Sequence, residues 1–159
     1  MRLSSKSRYA VMAMMDLALH EQQGPVTLTD ISVSQGISLS YLEQLFSRLR
    51  KADLVQGMRG PGGGYRLAKD ASEITIADIV AAVDEQPRPA PSWRPKGGSG
   101  MSEPYLTHQL WREVSGRLFQ HLEEMTLAEF TDREEVRDTA ERQDNLYRWG
   151  WTGNRKSAA

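Results

Sequence analysis

Two short stretches of this chain carry side chains whose types and spacing suit a polyanion. In the first, Ser40, Gln44, Ser47 and Lys51 recur at helical spacing on one face, with Glu43 and Arg50 on its flanks. An amide can pair with adenine, a hydroxyl with several base edges, and guanidinium or ammonium with phosphate or guanine. The second is Met58-Arg59-Gly60-Pro61-Gly62-Gly63-Gly64-Tyr65-Arg66. Its glycines, Gly60 and Gly62 among them, let backbone approach phosphates closely, and Arg59 suits a narrow, negative minor groove.

Each stretch has a competing reading. The helix face could be merely solvated, and the glycines could cradle a nucleotide phosphate. The nucleotide reading needs a Lys-Ser/Thr pair and a helix directly after the glycines; Tyr65-Arg66-Leu67 follows instead, which reads as a strand. Glu43 is unusual in such a place. Its neighbours at i−4, i−3, i+3 and i+4 are Leu39, Ser40, Phe46 and Ser47, so its own helix offers no ion-pair partner. A carboxylate facing DNA is repelled unless it accepts from a cytosine amino group, so Glu43 would penalise sites lacking a suitable base. No Ser/His/Asp constellation or cofactor loop supports an enzyme. His20 and His121 read as structural or surface residues, and Trp149 and Trp151 lie in a polar tail with Tyr147.

The elements that must position these residues are legible from caps and periodicity. Residues 5 to about 22 read as a helix capped by Ser4 or Ser5, with Val11, Met14, Met15, Ala18 and Leu19 at helical spacing and Gly24-Pro25 as its end. Thr27-Leu28-Thr29-Asp30 opens a short helix to Gln35, and Gly36 supplies a sharp turn. Ser38 or Ser40 caps the next helix, whose apolar face is Leu42, Leu45, Phe46 and Leu49. Leu54–Met58 and Tyr65–Ala68 flank the glycines as a two-stranded wing. Thr75-Ile76-Ala77-Asp78 starts a helix to about Val83. Tyr105–Met125 is the longest helix, striped by Leu106, Leu110, Val114, Leu118, Leu122 and Met125, and Thr126 begins a last short one.

The predicted fold is mainly α with a small β-wing. A winged helix-turn-helix domain spans 1–83, a Pro- and Gly-rich loop 84–104, a long helix and short helix 105–131, and a polar tail, expected to be disordered, 132–159. Within 159 residues there is no apolar run of membrane-spanning length, and no cysteine for a disulfide or a thiolate metal site. The net charge of −1 conceals a division: residues 1–69 hold nine Lys/Arg against five Asp/Glu, net +4, and residues 70–159 eleven against sixteen, net −5. A basic first half suits a nucleic-acid module, an acidic remainder a separate assembly region.

The motifs Arg2-Leu3-Ser4-Ser5-Lys6-Ser7-Arg8-Tyr9-Ala10, Gly36-Ile37-Ser38-Leu39-Ser40-Tyr41-Leu42-Glu43-Gln44-Leu45-Phe46 and Arg59-Gly60-Pro61-Gly62-Gly63-Gly64-Tyr65 resemble the IscR family of winged-helix iron–sulfur cluster regulators. Val83-Asp84-Glu85, Leu106-Thr107-His108 and Leu110-Trp111-Arg112 extend the match to about residue 130. The resemblance implies a cytoplasmic homodimeric transcription factor of iron–sulfur biogenesis genes, acting as repressor or activator. The long helix would be the dimer interface, double-stranded DNA the ligand and RNA polymerase a candidate partner. It implies that Ser40, Glu43, Gln44 and Arg59 read DNA; Arg2, Ser38 and Tyr41 in the matching motifs, with Arg50, Gly60 and Gly62, complete the candidate DNA-binding set.

In that family three cysteines and a histidine hold a binuclear iron–sulfur cluster. Here Trp93, Ser99 and Tyr105 stand at or near the cysteine positions and His108 at the histidine position. Indole, hydroxyl and phenol do not replace soft, charged thiolates, so no cofactor and no metal site are expected. The alternatives are a sensor or carrier with unusual ligation, a regulator sensing another signal through 84–104, or an interaction module that has lost DNA binding. Zero cysteines weighs against the carrier, and the intact Glu43-Gln44 face and wing against lost DNA binding.

Overall fold

Local capping sets where most of the chain becomes helical. The computed structural model describes residues 4–84, 103–139 and 141–142, the side chains of 103–108 aside. Helix α1 (Ser5–His20) is capped by Ser4, whose hydroxyl accepts from the Ser7 amide, and runs into a 3₁₀ turn, Glu21–Gln23. The expected helix to residue 22 thus ends two residues early as regular α-helix. Thr27 caps α2 (Leu28–Gln35) through Asp30, and Gly36 closes it in the left-handed region at φ 63°.

Helix α3 (Leu39–Lys51) follows after three residues. Ser38 holds its N-cap position, yet the side chain makes no capping bond, so neither expected serine caps it as sequence alone suggests. At the other end Asp53, at φ 55°, and Leu54 donate to the carbonyls of Arg50 and Leu49. That paired closure turns the chain sharply into the wing.

Strands β1 (Val55–Met58) and β2 (Gly64–Leu67) are antiparallel, with Val55 opposite Leu67 and Met58 opposite Gly64. Val26 adds an isolated bridge to Tyr65. Gly64 is required there, because a Cβ on it would lie 2.5 Å from the Val26 carbonyl oxygen. Helix α4 (Ile76–Val83) opens with the capping box of Thr75 and Asp78 that the sequence predicts.

Helix α5 (Glu103–Glu124) and α6 (Leu127–Thr131) complete the regular elements that can be assigned bounds. Within the tail expected to be disordered, residues 134–139 are helical. Val136 and Arg137 donate their amides to the Arg133 carbonyl, and Arg137 pairs with Asp132 at 3.0 Å, giving this charged segment local support.

One core joins these pieces. Ala10, Ala13, Met14 and Leu17 of α1 meet Ile31, Leu42, Leu45, Phe46 and Leu49 of the helix-turn-helix. They also meet Ile76, Ile79, Val80 and Val83 of α4, and Leu122 and Leu127 beyond. No helix among the described residues is long and apolar enough to cross a membrane.

Candidate nucleic-acid interface

Helix α3 divides cleanly into an inner and an outer face. Leu42, Leu45, Phe46 and Leu49 are buried, as the spacing predicts. Ser38, Ser40, Glu43, Gln44, Arg50 and Lys51 are exposed; Ser47 and Tyr41 are half-buried. Among the described residues the side chains of Glu43, Gln44 and Arg50 make no hydrogen bond or ion pair, so their polar ends point at solvent. Tyr41 is different: its ring stands edge-on to Tyr9, with centroids 5.9 Å apart at 88°, which seats the start of α3 on α1.

The wing is fastened to the same helix. Phe46 and Tyr65 meet edge-to-face at 4.9 Å, the Val26–Tyr65 bridge holds the outer strand, and the Glu21 carboxylate accepts from the Leu67 amide at 2.9 Å. Arg59 and Gly60 are exposed at the hairpin turn, where Gly60 and Gly62 adopt φ of 102° and 75° with open space around them. Two outward surfaces of suitable chemistry, the α3 face and the Arg59 turn, are therefore held by one rigid set of aromatic and backbone contacts.

Of the remaining candidates, Arg2, Trp93 and Ser99 lie outside the described residues. Tyr105 and His108 fall in the first turns of α5, their side chains likewise outside what is described. Whatever their placement, the donor set does not fit a binuclear cluster, since the chain contains no cysteine and the cluster is held by thiolates. Among the described residues no group of three or more His, Asp or Glu is arranged to hold a metal.

Two polar contacts at the helix-turn-helix were not foreseen from sequence. Asp16 of α1 is buried and accepts from Ser34 Oγ at 2.8 Å and Gln35 Nε2 at 3.1 Å, which ties the last turn of α2 to α1. His20 Nδ1 lies 2.7 Å from the Asp16 carbonyl oxygen, consistent with its structural reading. An acid set among the apolar residues of α1 was the available signal for Asp16. The other contact, from Arg48 to Val83, had none.

A family model described as Rrf2, iron-dependent transcriptional regulator, matches residues 3–133. The chain belongs to the Rrf2 family. It is 57% identical over 147 residues to the HTH-type transcriptional regulator IscR of Photorhabdus laumondii, covering 91% of this chain and 88% of that protein. It is 54% identical over 145 residues to the IscR of Cronobacter sakazakii, covering 91% and 89%. Among solved structures it is similar to T. potens IscR, with a TM-score of 0.69 at 37% identity over 86% of this chain and 90% of that one. It is also similar to CymR, the global cysteine regulator of B. subtilis, with a TM-score of 0.67 at 31% identity over 82% and 96%. This member of the family is thus an IscR-like helix-turn-helix transcriptional regulator with the expected winged fold, and one without cysteine.

Proposed function

We propose that this chain is a cytoplasmic homodimer that binds specific DNA sequences and regulates transcription without an iron–sulfur cluster. The observation that carries the DNA reading is the pairing of an unpartnered, exposed Ser40–Glu43–Gln44 face on α3 with the exposed Arg59 turn, both fixed through Phe46 and Tyr65. The helix would enter the major groove, and Arg59 the adjacent minor groove. Ser38, Arg50, Gly60 and Gly62 would contact phosphates beside them, as would Arg2.

The dimer reading rests on α5. Leu110, Trp111, Val114 and Leu118 are 62%, 56%, 49% and 37% exposed in the single chain, whereas Leu122 lower on the same helix is 8% exposed. A two-fold partner covering that stripe would present two recognition helices to a palindromic site. Bound at a promoter, such a dimer acts on RNA polymerase by exclusion or recruitment. The genes of iron–sulfur biogenesis are the targets suggested by the IscR relatives.

Absence of thiolates supports the cluster-free part of the reading. Selection of duplexes from a random pool by the full chain tests the proposal. An enriched palindromic motif, bound with a steep salt dependence from displaced counterions, is expected. Binding that is uniform across sequences, or a solution mass of one chain at micromolar concentration, would overturn it.

A further inference from the structure

The last turn of α3 carries three basic residues, Arg48, Arg50 and Lys51. Two of them are exposed, but Arg48 is half-buried, and its Nη1 donates to the carbonyl of Val83, the last residue of α4, at 3.0 Å. That carbonyl belongs to a helix C-terminus with no intrahelical partner, at the negative end of the α4 dipole, so a guanidinium is well suited to it. The next residue, Asp84, accepts from Ser4 Oγ and Ser7 Oγ, both at 3.4 Å. The C-terminal end of α4 is thereby fastened to α3 and to the start of α1.

The N-terminal end of α4 is fastened elsewhere. Thr75 and Thr126 form an isolated antiparallel bridge, in which Ile76 donates to the Met125 carbonyl at 2.9 Å and Leu127 to the Ile74 carbonyl at 2.8 Å. Met125, Thr126 and Leu127 directly follow the foot of α5 and lead into α6. Between its two ends α4 buries Ile76, Ala77, Ile79, Val80 and Val83. It is therefore a strut whose one end holds the helix proposed to carry the dimer and whose other end holds the helix proposed to read DNA.

We infer that Arg48 is a positioning residue: it fixes the recognition helix on the end of this strut and so sets the half-site spacing the dimer accepts. The inference rests on the dimeric DNA-binding reading above. The dimensions of α4 set the scale. Eight helical residues span about 12 Å, so a tilt of about 15° moves the far end about 3 Å, close to the 3.4 Å rise of one base pair. Half-site separation is a geometric property of the pair of recognition helices, and a contact that removes this tilt defines it to within one base pair. A phosphate contact would instead supply affinity at every spacing alike.

The test uses the full chain and duplexes carrying two copies of the half-site selected by the wild-type protein, at the selected spacing and at one and two base pairs more or less. Arg48→Met keeps the aliphatic stem and removes the donor. It is expected to weaken binding at the selected spacing by about tenfold and to reduce the preference over the neighbouring spacings by about threefold. The salt slope and the affinity for bulk DNA should not move. Arg48→Lys, which can still donate to the Val83 carbonyl, should restore the spacing preference. Equal loss at all spacings with a salt slope reduced by about one would make Arg48 a phosphate contact and overturn the inference, as would an unaltered spacing profile. Should Arg48→Met melt below the assay temperature, Ser4→Ala with Ser7→Ala loosens the same end of α4; broadened spacing supports the inference and an unchanged profile overturns it. Failure of the wild-type protein to select any sequence would be failure of the DNA-binding reading itself, and the inference would fall with it.

Discussion

The winged part of the molecule, residues 4–84, and the long helix α5 solve their burial differently. In the first, the apolar faces of α1, α2, α3 and α4 close on one another around Met14, Phe46 and Ile79, all fully buried. No buried side-chain nitrogen or oxygen among the described residues lacks a partner. In α5 the lower end joins that core through Leu122 and Phe119, while Leu110, Trp111, Val114 and Leu118 are exposed. A helix keeps exposed leucine and tryptophan along one stripe when a second surface covers them. The difference teaches that the chain folds one complete module and leaves one incomplete, and that the outward chemistry of each follows: polar and basic where DNA is proposed, apolar where a second copy is proposed.

The largest effect should come from breaking the complete module. Phe46→Ala removes the ring that fills the core and also seats Tyr65 of the wing, and should cost about 3–5 kcal/mol of stability, measured by denaturant unfolding. A cost near that of a surface substitution would mean that the wing and α3 are not one body. Breaking the incomplete module should do something else. Val114→Asp with Leu118→Asp places carboxylates on the exposed stripe and should halve the solution mass by light scattering while leaving the thermal transition of the winged part within a few degrees. A dimer that survives this change would move the interface off α5.

Smaller effects sharpen the outward chemistry of the winged part. Arg59→Ala should weaken binding to the selected site by about 1–3 kcal/mol without altering the melt, read by fluorescence anisotropy; undiminished affinity would remove the turn from the interface. Glu43→Ala should change the affinity for the best site least of all, because its proposed work is exclusion. Discrimination between best and second-best sites should fall instead, and a uniform loss across sites would make Glu43 a structural residue.

Much of this division was legible in the sequence, because it is written in local signals. Thr27 with Asp30 and Thr75 with Asp78 announce helices that begin where the structure begins them. The i, i+3, i+4 and i+7 spacing of Leu42, Leu45, Phe46 and Leu49 identifies the buried face of α3 and hence its opposite. The α5 stripe was visible as a stripe, but a periodic pattern carries no information on where a helix leaves its own core, so Leu110 and Leu122 looked alike. Contacts between residues far apart were not legible at all. The bond from Arg48 to Val83 and those from Ser34 and Gln35 to Asp16 join residues 35, 18 and 19 positions apart, beyond the reach of helical spacing. Tyr41, a candidate for DNA from its place in a motif, also packs its ring against Tyr9, a contact between helices that no motif announces.

The departure from the cluster-binding pattern separates the behaviour proposed for this regulator from that of the cluster-holding family it resembles. Three thiolates are missing from a chain that retains the exposed polar face of α3, the wing and His108. The most direct measurement is operator affinity of the full chain, purified anaerobically and treated with iron and sulfide, taken alongside its visible absorption. The expected result is colourless protein with the same affinity before and after treatment. A charge-transfer absorption with near-stoichiometric iron, lost in His108→Ala and accompanied by altered operator affinity, would contradict it.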